Sequence, residues 1–302
     1  MSDYVIQADR LTRYFGQKCA VDHVSFSVPR GTVTALLGRN GSGKTTLMRM
    51  LLGMLEPTRG SSTILGHDSA NIPPAVRGRI GYVAEGHPLY GWMSIGGLAR
   101  HQAALYSHWN WDTYHRIIDH FQLDEKAKAG RLSRGQTAGV ALAIALAPEP
   151  ELLVLDDPSL GLDPVARRAI LEVIVDLFGG GERTVLLSTH ELQDVERIAD
   201  RVLVLDQSML VADAEKDYFL AHVREYVIEG GMGRPEVKGL ISSRQEGSVL
   251  RLLVANPDEE TQRQLETAGT VVEQRSVNLE DAVIGYLSRR GRVLEESKGG
   301  TR

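Results

Sequence analysis

Gly38-Arg39-Asn40-Gly41-Ser42-Gly43-Lys44-Thr45-Thr46 is the stretch that decides how this chain is read. It fits the pattern G-x-x-x-x-G-K-[ST] and stands between a strand-like run, residues 34–37, and a helical stretch, residues 46–55. That order is what the chemistry of the pattern needs. Glycines let the backbone close on a phosphate and turn several N–H groups towards it at a helix N-terminus. Lys44 adds a point charge for β- and γ-phosphates, and the Thr45 hydroxyl is a ligand for Mg²⁺. Gly38, Asn40, Gly41, Ser42, Gly43, Lys44, Thr45 and Thr46 are therefore the expected phosphate-binding group. The bland alternative, a glycine-rich turn with an incidental lysine, does not account for the strand before it and the helix after it.

Working outward, the first 35 residues alternate apolar and polar positions (Val24, Phe26, Val28, then Val33, Ala35, Leu37) around a turn at Pro29-Arg30-Gly31. This is strand periodicity. Residues 80–83 form a short strand, and residues 94–147 look helical, with Asp112 and Ser133 as N-caps. Residues 152–155 and 184–187 are continuous apolar runs, as suits strands buried on both faces of a parallel sheet. Strand and helix alternate through residues 1–212, an α/β pattern. Beyond 212 the composition shifts. Strands at 226–229, 249–254 and 270–275, with helices at 258–268 and 279–290, make a small α+β domain over residues 213–294. Residues 295–302 are a polar tail, expected to be flexible.

Chemistry-bearing residues recur at strand ends. The run 152–155 delivers Asp156 and Asp157 at its C-terminal end, where a parallel sheet places its ligands. Asp156 is placed to hold the Mg²⁺ shell, partly through water, and Asp157 to orient or deprotonate an attacking water. Alone, two aspartates after an apolar run would be a turn or a helix cap. The strand at 184–187 runs into Ser188-Thr189-His190, putting His190 on the same sheet edge. Leu132-Ser133-Arg134-Gly135-Gln136 opens another helix and makes a second anion site. One nucleotide does not need two such cradles, so the second is expected to serve a nucleotide held by another chain.

Composition narrows the classes. The chain has 302 residues, 42% hydrophobic and 24% charged, which fits a globular protein and not a disordered or fibrous one. Its net charge of −5 argues against non-specific binding to a polyanion such as nucleic acid. With Cys19 the single cysteine, no intrachain disulfide exists. The start, Met1-Ser2-Asp3-Tyr4-Val5, lacks the blocks of a signal peptide. Residues 138–147, the longest nearly apolar stretch, are about half the ~20 residues of a bilayer span. A cytosolic chain that meets the membrane only through a partner is expected.

Taken in order, these features resemble the ATP-binding subunit of an ABC transporter over residues 4 to about 210. Gly38 to Thr46 stands as the Walker A loop, Leu132 to Gln136 as the signature and Asp156-Asp157 as the end of Walker B. Ser159-Leu160-Gly161-Leu162-Asp163 looks like the D-loop and His190 like the switch histidine. The resemblance implies the P-loop ABC ATPase fold, a mixed β subdomain and a parallel-sheet core with an inserted helical subdomain at about 86–137. It implies ATP and Mg²⁺, the latter on Thr45, Glu85 and Asp156. It puts Phe15, with Val21, where the family binds adenine, Tyr14 being a neighbouring candidate. Asp157, His190 and Glu85 would be catalytic. Ser133, Arg134, Gly135, Gln136 and Asp163 would reach the ATP of a second chain in a head-to-tail homodimer or heterodimer. An integral membrane permease subunit would be the partner, at the cytoplasmic face. Leu89, Tyr90, Trp92 and Met93 resemble the groove for that partner's coupling helix, or belong to the subdomain core. Asn278-Leu279-Glu280-Asp281-Ala282-Val283 resembles the C-terminal motif of the ABC-2 exporter group.

Departures from the family pattern bear on function. The usual catalytic glutamate is Asp157, one methylene shorter. A base withdrawn by about 1 Å would cost up to ~10²–10⁴ in rate. That leaves a regulatory module with little hydrolysis as the alternative to a motor. Glu85 stands where a glutamine is usual, and Thr137-Ala138-Gly139 replaces basic residues. A soluble ABC ATPase acting on ribosomes or DNA resembles two cassettes or a long coiled coil, whereas this sequence has one P-loop and no heptads. His87, His101, His108, His115 and His120, with Trp92, Trp109 and Trp111, crowd one segment. They read as a polar subdomain surface rather than a metal site.

Overall fold

The computed structural model describes residues 3–178, 183–230, 235–288 and 294–295. Strands β1 (Tyr4–Phe15) and β2 (Lys18–Pro29) pair antiparallel across the turn at Gly16. β3 (Val33–Leu37) then leads through the glycine-rich loop into α1 (Lys44–Leu51). The helix expected at 46–55 thus begins two residues earlier and ends at Leu51. The reason lies at Gly53, whose φ of 66° turns the chain where a Cβ would stand 2.1 Å from the Ser69 carbonyl oxygen. β4 (Arg59–Ile64) and β5 (His67–Asp68) complete a four-stranded sheet of order β2-β1-β4-β5. The short α2 (Pro74–Arg77) precedes β6 (Ile80–Val83).

The helical region expected at 94–147 is three helices, α3 (Ile95–Ala103), α4 (Trp111–His120) and α5 (Arg134–Leu146). α4 is capped by Asn110, whose Oδ1 accepts the N–H groups of Asp112 and Thr113 at 2.9 and 3.0 Å. Asp112, the expected cap, therefore lies inside the first turn, where a carboxylate favours the positive end of the helix. Ser133 does cap α5, in a reciprocal box with Gln136. Of the small residues after it, Gly139 has a physical reason. A Cβ on Gly139 would stand 2.5 Å from the Phe121 ring, so α5 and the end of α4 meet only because that position is bare.

β7 (Leu152–Asp156), α6 (Pro164–Phe178), β8 (Thr184–Thr189), α7 (Leu192–Ile198), β9 (Arg201–Asp206), β10 (Met209–Glu215) and α8 (Lys216–Ala221) follow. β9-β3-β8-β7-β6 run parallel in that order, with β10 antiparallel at the β9 edge. Every residue of β3, β7 and β8 is buried, so the alternation expected at Val33, Ala35 and Leu37 does not divide core from solvent. It divides separate cores, Leu36 facing one, Val33 a second, and Ala35 and Leu37 a third. Leu36, Leu152, Val154 and Leu186 pack with Leu47, Met48 and Leu51 of α1. Leu153, Leu155, Val185 and Leu187 pack on the other side with Ile95, Tyr114, Val140 and Ile170.

The rest of the chain forms β11 (Val223–Glu229), β12 (Leu240–Glu246), β13 (Val249–Ala255), α9 (Glu259–Ala268), β14 (Thr270–Ser276) and α10 (Leu279–Leu287). Its four-stranded sheet has the order β12-β13-β11-β14. Leu265 of α9 packs on one face, with Tyr226, Leu250 and Leu252. On the other, Leu279, Ala282, Val283 and Tyr286 of α10 share a core with Ala35, Leu37, Val202 and Val204 of the large sheet. Residue 213 lies within β10. β15 (Leu294–Glu295) runs parallel to β10. Residues 289–290, the expected end of the last helix, and the tail from 296 fall outside the described residues.

Candidate functional site

Because β3, β7, β8 and β6 are parallel, their C-terminal ends open onto one sheet edge, and the glycine-rich loop rises from the first of them. Gly43 caps α1 at φ 111°, and a Cβ there would lie 2.2 Å from the Ala20 carbonyl oxygen, so no side chain fits. Gly41, at φ 81°, faces open space. Lys44 is buried, its Nζ donating to the carbonyl oxygens of Gly38 and Arg39 at 2.8 and 3.2 Å. Burial lowers its pKa, against the opposing pull of Asp157, Asp156 and Glu85. The site therefore gathers three carboxylates around one ammonium.

Asp156 closes β7. Its Oδ1 accepts the Ser188 hydroxyl at 2.8 Å and the Thr45 hydroxyl at 3.1 Å. Asp157 follows at φ 45°, a conformation non-glycine residues avoid at a cost of about 1–3 kcal/mol unless it is imposed. Here it is imposed. Its N–H donates to the Ser188 Oγ and carbonyl oxygen at 2.9 and 3.1 Å, and its Oδ2 accepts from His190 Nδ1 at 2.9 Å. Asp156 Oδ2, Asp157 Oδ1 and Ser42 Oγ are buried without a protein partner. Unpartnered carboxylate oxygens beside the Thr45 hydroxyl are the hard donors that a Mg²⁺ ion takes, so the residues present fit that ion.

A cleft of about 390 Å³ runs from these carboxylates past Lys44 and Thr45 to Phe15, with Glu85 on its wall. Phe15 is 49% exposed and lines the cleft, while Tyr14, on the opposite side of β1, does not line it. Val21 is fully buried beneath Gly43, and Lys18 and Ala20 supply the wall instead. Ser133, Arg134, Gly135, Gln136 and Asp163 do not line the cleft of their own chain. Ser133 and Gln136 satisfy one another across the cap. Arg134 lies over Gly161, and Asp163 accepts the N–H groups of Val165 and Ala166 at the start of α6.

Sequence reading passed over Ser188 here and misplaced His87, which it set on a polar subdomain surface and which is buried. Ser188 ties the Asp156 carboxylate and the Asp157 backbone N–H to β8, and a serine at the end of an apolar strand carries no signal of that. His87, 4% exposed at φ 51°, lies against the Pro158 backbone, and its burial lowers its pKa. It therefore joins the loop of Glu85 to the turn after Asp157. In the neighbouring segment Tyr90 and Trp92 are exposed, 55% and 74%, whereas Leu89 and Met93 pack against the helical core. The crowded histidines meet carboxylates, His108 with Glu149, His115 with Glu125 and His120 with Glu172.

The family profile described as "ABC transporter" matches residues 21–160. The chain is 33% identical to the Nod factor export ATP-binding protein I of Bradyrhizobium diazoefficiens, over 98% of this chain and 99% of that protein. It is 35% identical to the daunorubicin resistance ATP-binding protein DrrA3 of Streptomyces coeruleorubidus, over 72% and 70% respectively. Among solved structures, an ATP-binding subunit of an ABC transporter superposes with a TM-score of 0.65 at 29% identity, covering 72% of this chain and 92% of that one. The cbiO1 protein of Clostridium perfringens, part of the transporter complex cbiONQ, gives 0.61 at 25% identity, over 73% and 92%. Among the described residues no helix is long and apolar enough to cross a membrane.

Proposed function

The chain belongs to the ABC transporter family as an exporter-type ATP-binding subunit, and from that premise we propose that it hydrolyses ATP to drive export through a membrane-spanning partner. The observation that carries this reading is the meeting, at one sheet edge, of Lys44, Thr45, Asp156, Glu85 and an Asp157 already held by His190. In the proposed mechanism, the loop N–H groups and Lys44 hold the phosphates, and Phe15 stacks on the base. Thr45, Asp156 and Glu85 would hold Mg²⁺, directly or through water, and the ion would supply charge neutralisation of the phosphates there. Asp157 Oδ1, which has no protein partner, accepts the proton of the attacking water, while His190 fixes the other oxygen. Ser133, Arg134, Gly135, Gln136 and Asp163 engage the ATP of a second ATP-binding chain, head to tail, and closure of that pair moves the helical subdomain at about 86–137. Tyr90 and Trp92 are proposed to pass the movement to the permease at the cytoplasmic face, residues 213–294 acting as an accessory domain.

The alternative is a module that closes on ATP and scarcely hydrolyses it. Its support is the short reach of Asp157. The hydrogen bonds that hold Asp157 favour the motor. Relatives named for Nod factor export and daunorubicin resistance support export as the direction. The test is a tagged pull-down from gently solubilised membranes of the native host, with mass spectrometry of the captured chains. A multi-span protein at near one-to-one stoichiometry is expected. Recovery of no membrane protein in repeated detergents, with ATP-dependent dimers in solution, would put the regulatory module first.

A further inference from the structure

Positions 13 and 15 fall on one side of β1 because strand side chains alternate. Arg13 uses that placement to cover the Phe15 ring, its Cζ 4.8 Å from the ring centroid, within cation–π range. The guanidinium is anchored from behind, Nη1 donating to the Glu56 carbonyl oxygen at 2.8 Å in the loop between α1 and β4. Arg13 Nε is buried and has no hydrogen-bond partner. Arginine gives up such a partner at a free-energy cost, so this is not its default pose on a strand surface. Phe15 nevertheless stays half exposed and lines the cleft that holds Lys44 and Thr45. The cleft thus receives an aromatic surface backed by a fixed positive charge.

We propose that Arg13 is a positioning residue for the purine base, acting through Phe15. The proposal rests on the reading that Phe15 stacks on the base. Arg13 acts in two ways. Holding the ring in one rotamer means that less side-chain freedom is lost when a base lands on it. Drawing π density towards the guanidinium leaves the cleft-facing side of the ring less negative, which suits an electron-rich purine and disfavours a cation.

The test compares binding of ATP and of inorganic tripolyphosphate, which has phosphates and no base, to the full-length protein with Mg²⁺. Arg13→Met removes the charge and keeps the apolar stem. It is expected to weaken ATP about threefold to tenfold and to leave tripolyphosphate unchanged, with KM for ATP raised and kcat at saturation retained. Arg13→Lys, which returns the charge, is expected to recover part of the loss. In a Phe15→Ala background Arg13→Met should change nothing further. ATP binding by Arg13→Met equal to wild type would overturn the proposal. So would equal weakening of ATP and tripolyphosphate, or an undiminished effect without Phe15. A Phe15→Ala variant that still binds ATP as wild type does would instead remove the stacking reading itself, an outcome read without any change at Arg13.

Discussion

On the proposed reading, Asp157 is the residue that separates a motor from a switch. Its carboxylate is a methylene shorter than the glutamate usual in the family, yet it is buried, bonded to His190 and locked at positive φ by Ser188. Asp157→Asn is expected to lower turnover by about 10²–10⁴ in a phosphate-release assay. Asp157→Glu should raise it by no more than about tenfold, and a larger gain would mean that the native base is out of reach. Ser188→Ala removes the hydroxyl that serves both aspartates, and about 1–3 kcal/mol of stability should go with it in urea unfolding. Lys44, Thr45 and Asp156 were legible because their chemistry fixes their spacing along the chain. Ser188 was not, since its partners Asp157 and Asp156 lie 31 and 32 residues away and nothing local records the contact.

Secondary-structure elements follow local rules until packing overrides them. The capping box at Ser133 was readable, whereas Asn110 displaced Asp112 as cap because its amide oxygen reaches two N–H groups at once. Gly139 is a packing choice in a helix that would otherwise prefer alanine. Gly139→Ala gains up to ~1 kcal/mol of helix propensity but drives a methyl into Phe121. A net loss is expected, within the ~1–3 kcal/mol range of overpacking, read as a lowered denaturant midpoint. At the entry to β6 and β7, Arg79 grips Glu151 through two bonds of 2.5 and 2.6 Å, holding its carboxyl below the usual carboxylate range. A carboxylate with a depressed folded pKa stabilises the fold above its unfolded pKa, and the effect fades as pH falls through the folded value. Since Glu151 is 38% exposed, the contribution belongs with surface pairs, about 0.2–1 kcal/mol. Glu151→Gln should therefore be less stable than wild type at pH 7, the two converging below about pH 4. A gap that widened on acidification would contradict the assignment.

At the scale of the whole molecule, the C-terminal sheet does not hang from a linker. α10 inserts Leu279, Ala282, Val283 and Tyr286 into a core that includes Ala35 and Leu37 of β3, the strand that carries the glycine-rich loop. Leu279→Ala is expected to cost about 2–5 kcal/mol and to lower the unfolding temperature of the entire chain. A calorimetric trace in which only a minor early transition moved would show the two parts to be independent. The alternating α/β order announced the large sheet from sequence. The shared core was not announced, because the apolar residues of α10 look the same whether they face their own sheet or another. The edge strand β12 was passed over as well, Ser242 to Glu246 offering polar residues where a strand signal needs apolar ones. As the proposed motor, this chain spends ATP at the Asp156–Asp157 edge. The most direct test of that role is phosphate release from Mg²⁺-ATP over a range of protein concentrations, alone and with partners captured from membranes, beside Lys44→Ala. Release by the wild type that Lys44→Ala abolishes is the predicted result. ATP binding without release above the Lys44→Ala level in either setting would contradict that role.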